Sequence, residues 1–282
     1  MLNEKELIKK ISNKAKEFRK EIVEVTCRAK QAHIGSALSC ADIIATLYFG
    51  ILKVNPRDPK SKDRDRFILS KGHGCLALYS ALAGKKFFKK GLLYTFNQFK
   101  SILGGHPDML KIPGVEASTG SLGHGLSIGL GMALAGKVDC KDYRVFVLLG
   151  DGECEEGSVW EASMAAAHLK VDNLVVIVDN NGIQLLDFTD NILSSLKPLG
   201  KKFKAFGWLV KEIDGHNIKE ILKALRSVPF KKGKPSCIIA HTVKGKGISF
   251  MENQPRWHYR GLTEAERVEA LKELSCISHR SK

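Results

Sequence analysis

The chain has 282 residues, 44% of them hydrophobic and 27% charged, with a formal net charge of +15; this excludes a disordered or fibrous protein and allows a large buried core. Its longest apolar runs, such as LVVIV at 174–178, fall far short of the ~20 residues a membrane span needs. The seven cysteines form no CxxC pair, so no disulfide framework or zinc knuckle is suggested, and MLNEKELIKK has charges where a signal peptide has an apolar core, so a cytoplasmic, reducing location is expected.

The first element reads as a helix, because apolar residues at 7, 8, 11, 15, 18, 22 and 25 make one stripe. The run ALSCADIIATLYFGIL at 37–52 reads as a second, mostly buried helix, with Ser36 placed to cap it. After the polar NPRDPKSKDRD come the strand FILS, the turn KGHG and the helix CLALYSALAG. The pattern then recurs: RVFVLL, the turn GDGECEEG and a helix from about Ser158 to Leu169; LVVIV and DNNGIQ; WLVKEI, DGHN and the helix IKEILKAL; CIIAHT and VKGKG. Strands without polar alternation, each followed by a glycine-bearing turn and mostly by a helix, predict an α/β fold with a mostly parallel central sheet covered on both faces. No Pro/Gly/Ser-rich linker divides the chain, so one domain over 1–282 is expected.

In such sheets ligands sit beyond the carboxyl ends of the strands, which brings Lys71, His73, Asp151, Asn181 and Lys244 toward one edge. The turn after RVFVLL concentrates four acids, Asp151, Glu153, Glu155 and Glu156, in a basic chain. The 27 residues between this GDG and the following Asn180-Asn181 pair suffice for one helical crossover, so the two turns should be neighbours. A carboxylate, an amide oxygen and a main-chain carbonyl suit a hard divalent cation; Asp151, Asn181 and the Ile183 carbonyl could supply them and leave positions for a diphosphate. Glu153 and Glu155 are expected in the first turn of the next helix, where acids favour the positive end of its dipole.

Residues 1–100 hold 21 Lys and Arg against 9 Asp and Glu. No aromatic interleaving or nucleic-acid motif accompanies them, so they read as a solvated surface, with neither nucleic acid nor membrane as partner.

The run GDGECEEGSVWEASMAAAHLKVDNLVVIVDNNGIQ resembles the thiamine diphosphate signature of transketolases, and AKQAHIGS, LSKGHG, GGHPDM, STGSLGHGLSIGLGMALAGK and KGKGISFMENQPRWH agree with it in order. The resemblance implies the thiamine diphosphate-binding fold of the diphosphate (PP) type. It implies magnesium or calcium on Asp151, Asn181 and the Ile183 carbonyl, with Gly152 and Asn181 at the diphosphate. Gly120, Ser121 and Leu122 would lie along the cofactor rings, and Lys71, His73, Lys244 and His258 near the diphosphate and the active-site channel. His33, His106 and His258 would be catalytic and contact the donor sugar, Ser36 would add to the substrate pocket, and Glu156 would link the site to a partner's catalytic glutamate. His168, His216, His241 and His279 fall outside these motifs and are read as structural.

The resemblance further implies a transketolase N-terminal subunit, moving a two-carbon ketol unit from a ketose phosphate to an aldose phosphate, as in the pentose phosphate pathway. A separate C-terminal chain would carry the pyrimidine-binding domain, in a two-plus-two hetero-tetramer. Two departures bear on the substrate: Ala32-His33-Ile34 where the family often has Gly-His-Pro, and His124 where it often has glutamine. The alternatives are another thiamine diphosphate reaction, on an unusual sugar or of the deoxyxylulose phosphate synthase type, and the role of a non-catalytic partner subunit.

Overall fold

In a computed structural model, which describes residues 3–185 and 187–276, helix α1 (Glu4–Ala29) starts at a capping box. The Asn3 side chain accepts from the Glu6 amide and the Glu6 carboxylate accepts from the Asn3 amide, both at 2.9 Å, so two donors that a helix start leaves open are satisfied. Its apolar stripe, including Ile11, Phe18 and Ile22, is buried.

The expected single helix over 37–52 is instead two short helices, α2 (Ile34–Ser39) and α3 (Ala41–Thr46), followed by a π-helical turn over Leu47–Ile51. Cys40 breaks the run with φ −94° and ψ 5°. Ser36 therefore lies inside a helix rather than capping one. Its carbonyl accepts from Lys71 at 3.1 Å and from the Cys40 thiol at 3.2 Å, contacts that a helix start at Ile34 makes available.

Strand β1 (Arg66–Leu69) leads through a 3-10 turn at Gly72–Gly74 into α4 (Cys75–Gly84), and a long loop then reaches α5 (His124–Val138). Next come β2 (Val145–Gly150), α6 (Gly157–His168), β3 (Leu174–Asn180), and a small antiparallel pair of β4 (Ile183–Gln184) with β5 (Asp187–Phe188). The chain continues through α7 (Thr189–Leu193), α8 (Leu199–Ala205), β6 (Leu209–Asp214), α9 (Ile218–Arg226), β7 (Ser236–His241) and α10 (Glu264–Cys276). The five strands read from the sequence form one sheet in the order β1-β2-β3-β7-β6, parallel throughout.

Alternation along each strand divides the core in two, because successive side chains point to opposite faces. Phe67, Phe146, Leu148, Val175, Ile177 and Ile238 pack with α1, α2, α3, α4 and α9. Val145, Val147, Leu149, Val176, Val178 and Ile239 pack with α5, α6 and α8. Helix α5 approaches β2 closely at Gly129, where a Cβ would sit 2.5 Å from the Val147 side chain. Both faces being covered, each buried Val, Leu, Ile or Phe adds about 1.5–3 kcal/mol, and the polar turns are left at one edge. No helix among the described residues is long and apolar enough to cross a membrane.

Candidate functional site

The turns after β1, β2, β3 and β7 meet at the carboxyl edge of the sheet, around a cavity of about 390 Å³. Pairing of β2 with β3 sets Gly150 opposite Asp179, so the GDG and NN turns do lie side by side. Asp151 is buried, and its carboxylate accepts from the amides of Gly152 at 3.0 Å and Gly182 at 2.6 Å. Burial, with the Asp179 charge nearby, still pushes this carboxyl up to about 6. Asn181 is also buried, and its amide oxygen accepts from the Ile183 amide at 3.2 Å. The Ile183 carbonyl accepts from Lys244 Nζ at 3.0 Å; a carbonyl has two lone pairs, so one remains.

A carboxylate, an amide oxygen and a carbonyl thus sit together where negative charge is under-compensated. This donor set fits a hard cation such as magnesium. Among the described residues no three His, Cys, Asp or Glu side chains group as a metal site, so the softer ligand sets typical of zinc are not the ones on offer.

Glu153 departs from the expected role of a solvated first-turn acid. It belongs to a 3-10 turn, Gly152–Glu155, that precedes α6 and folds back beneath the strand ends. Its buried carboxylate accepts from the Gly123 and Gly150 amides, each at 3.0 Å, and from the Ser70 hydroxyl. The turn tightens because these amides need an acceptor. Glu155 also leaves the helix start and accepts from Gln184 Nε2 at 2.5 Å. Glu156 is exposed at the N-cap of α6 and on the cavity wall. Gly123, with φ +83°, lets Glu156 pack against it; a Cβ there would meet the Glu156 Cβ at 2.6 Å.

Lys71, His73, Gly120, Leu122, Gly152, Lys244 and Ser36 all line the cavity with Asp151, Asn181 and Ile183. Ser121 lines an adjoining surface hollow with His124 and Ile128 instead. Lys71 and Lys244 are each 1% exposed, so neither is a surface lysine. Lys244 is pushed down to about 8 by burial and by the charge of Lys71. Lys71 is pushed down by burial, but the Asp179 carboxylate more than reverses this and its net shift is upward.

Four histidines form one wall. The His33 ring centre lies 5.3 Å from that of His73, 5.9 Å from His106 and 5.2 Å from His258. Burial, and the charge of neighbouring imidazoles and lysines, holds His33 down to about 4 and His258 to about 3. His73 is pushed down by burial and Lys71, and His106 by burial. All four imidazoles are therefore neutral at pH 7. Lys244 Nζ donates to His258 Nδ1 at 2.9 Å; since an ammonium cannot accept, the His258 proton sits on Nε2.

Sequence reasoning missed Asp179, which anchors the floor, and Tyr259, whose ring centre is 4.4 Å from that of His33. The available signal for Asp179 was an acid ending the apolar strand LVVIVD. Of the histidines read as structural, His216 lies between Asp42, at 2.8 Å, and the Val243 amide, at 2.8 Å. His241 contacts Glu212 and Asn180, His168 ends α6, and His279 lies outside the described residues.

The comparisons with known proteins agree with this geometry. A family model described as the transketolase thiamine diphosphate binding domain matches residues 11–280. One of the subunits of the apulose-4-phosphate transketolase of Phocaeicola vulgatus is 45% identical over 257 residues, 91% of each chain. The 6-deoxy-6-sulfo-D-fructose transketolase subunit of a Clostridium species is 41% identical over 94% of this chain and 96% of its own. The solved transketolase of Leishmania mexicana superposes with a TM-score of 0.85 and 31% identity over 95% of this chain, which spans only 41% of that enzyme. The parallel sheet, the cavity at its carboxyl edge and these matches together make the chain a member of the transketolase family, within its thiamine diphosphate binding domain.

Proposed function

We propose that the chain is the diphosphate-binding subunit of a thiamine diphosphate-dependent transketolase, folded as one domain and active with a second chain that completes the cofactor site. The observation that carries the reading is one cavity that joins a buried oxygen-donor set, Asp151, Asn181 and the Ile183 carbonyl, to four neutral imidazoles. The two relatives named as subunits match this chain along nearly their whole length, which supports a separate partner chain; the assembly proposed is a hetero-tetramer.

Asp151, Asn181 and Ile183 would hold magnesium, and with Gly152 would receive the diphosphate. The bound cofactor would supply the electron sink for breaking a carbon–carbon bond. The chain's own contribution is then positional and protic. His258 offers an Nε2–H to a substrate oxygen, while His33 and His106, neutral, can each accept one proton and donate another. Leu185, 65% exposed, adds an apolar side chain to the cavity lining. Glu156 faces the rim, where a partner's carboxyl could meet it.

The reaction proposed is ketol transfer from a ketose phosphate to an aldose phosphate, in the cytoplasm. The donor panel for the test includes the two sugars in the relatives' names, apulose-4-phosphate and 6-deoxy-6-sulfo-D-fructose, beside the pentose phosphate pathway sugars. The test is a ketol-transfer assay of this chain with a candidate pyrimidine-domain chain, thiamine diphosphate and magnesium. Transfer by the mixture and none by either chain alone is expected. No transfer from any ketose, or full turnover by this chain alone, would sink the reading.

A further inference from the structure

Two lysines in glycine-bracketed turns, KGHG and KGKG, reach the same cavity, and the fold treats them differently. An ammonium has three N–H donors and no acceptor. On Lys71 all three have partners: the Ser36 carbonyl at 3.1 Å, the Ser39 hydroxyl at 3.4 Å, and Asp179 Oδ2. On Lys244 two have partners, the Ile183 carbonyl and His258 Nδ1, and the third has none among the described residues. Lys71 and Lys244 are the only lysines or arginines among the described residues that line the cavity.

Asp179 is fully buried and equally committed. Its Oδ2 accepts from Lys71 and, at 2.6 Å, from the Ser39 hydroxyl; its Oδ1 accepts from the Thr242 hydroxyl. These contacts tie the end of β3 to α2, to the turn after β1 and to the loop after β7, two residues before Lys244. The positive charge of Lys71 is consumed by Asp179, whereas Lys244 has no carboxylate within ion-pair distance among the described residues.

We propose that Lys71 and Asp179 form a closed ion pair that positions the cavity floor, so that Lys71 makes no contact with the anionic diphosphate and the lysine contact that the resemblance implies is left to Lys244 alone. This rests on the function proposed above and departs from the expectation that Lys71 touches the diphosphate. Lys71 and Asp179 are positioning residues; Lys244 is a binding residue.

The experiment is a double-substitution cycle in the full-length chain. It is read by thermal melting without ligand and by calorimetric titration with two probes, magnesium thiamine diphosphate and magnesium pyrophosphate. Removing one member of a buried pair strands a charge, so Lys71→Met and Asp179→Asn should each lower Tm by roughly 6–20 °C. Lys71→Met/Asp179→Asn should regain most of that loss and bind both probes within about threefold of the native chain, because no charge is then stranded. Lys244→Met strands no carboxylate; Tm should hold, while affinity for both probes falls about ten- to hundredfold, the worth of one charge-assisted hydrogen bond.

Lys71→Met that melts like the native chain yet loses tenfold affinity would overturn the proposal. So would a double variant that regains Tm but not affinity, since that marks Lys71 as a ligand. Should the double variant fail to fold, Asp179→Asn still decides, because an unchanged Tm there excludes the closed pair. A native chain that binds neither probe, alone or with its partner chain, contradicts the proposed function and the assignment of Lys244, while the melting cycle still judges the ion pair.

Discussion

The floor and the histidine wall of the same cavity are built on opposite principles. On the floor, charges are present and almost all are answered: Lys71 by Asp179, and Glu153 by two amides and a hydroxyl. On the wall, four imidazoles are kept neutral by burial, His33, His73 and His258 also by neighbouring positive charge, and among the described residues only His258 is fixed by a side-chain hydrogen bond, from Lys244. On the proposed function the floor would hold a cation and an anion, which calls for rigid, pre-paired charge, and the wall would handle sugar hydroxyls, which calls for groups able to both give and take a proton. The two meet at Lys244, which touches both Ile183 and His258.

Removing the proposed cation ligand tests the floor most severely. Asp151→Ala should abolish ketol transfer by the assembled enzyme and weaken magnesium-dependent binding of thiamine diphosphate by more than about 100-fold, beyond the loss typical of an outer-shell partner. Titration calorimetry with and without magnesium would measure it. A variant that kept native affinity would move the metal elsewhere and collapse the contrast between the regions.

The wall should respond in kinetics rather than in cofactor affinity. His258→Ala and His33→Ala are each expected to lower kcat by about 10²–10⁴ while binding of thiamine diphosphate changes little. Equal losses in affinity and in kcat would mean that the two regions are one functional unit. Tyr259, stacked near His33, should matter less because it is 46% exposed.

The neutral wall also carries a pH signature. The folded His33 binds its proton only near pH 4, whereas an unfolded histidine does so near 6.5. Between those values the unfolded chain binds more protons, so this stabilisation is complete above pH 6.5, declines as pH falls toward 4, and changes no further below it. Tm of the native chain should therefore drop over that interval, and His33→Asn should flatten the drop. An identical slope in the variant would show that His33 is not held neutral by the fold.

How much of this was readable from residues depends on whether the signal was local. The five strands, their parallel arrangement and the adjacency of the GDG and NN turns follow from apolar runs and crossover length, and the structure contains all of them. Asp151, Asn181, Lys244 and the histidines were legible because each sits in a distinctive turn or family motif. The break at Cys40 was not, since ALSCADIIATLYFGIL has no proline or early glycine to announce it. Nor was the closing of Lys71 onto Asp179, because 108 residues separate them in the chain and no local pattern records which donors are spent.

Glu153 makes the last and smallest test, and it is one of the two acids, with Glu155, that the sequence misassigned to a helix start. Its two oxygens accept only from donors: the Gly123 amide and the Ser70 hydroxyl on Oε1, and the Gly150 amide on Oε2. Glu153→Gln keeps the shape but turns one of those oxygens into an NH2 group facing a donor. Ser70 can rotate its hydroxyl to accept, whereas neither amide can, so either orientation of the glutamine loses at least one buried hydrogen bond. The cost should be about 1–3 kcal/mol, a fall in Tm of roughly 2–12 °C. On the wall, His106→Asn removes no such network and should leave Tm nearly unchanged. If the two variants melted alike, the floor would owe its rigidity to apolar packing alone, and the distinction between pre-paired charge below and mobile protons beside it would lose its structural basis.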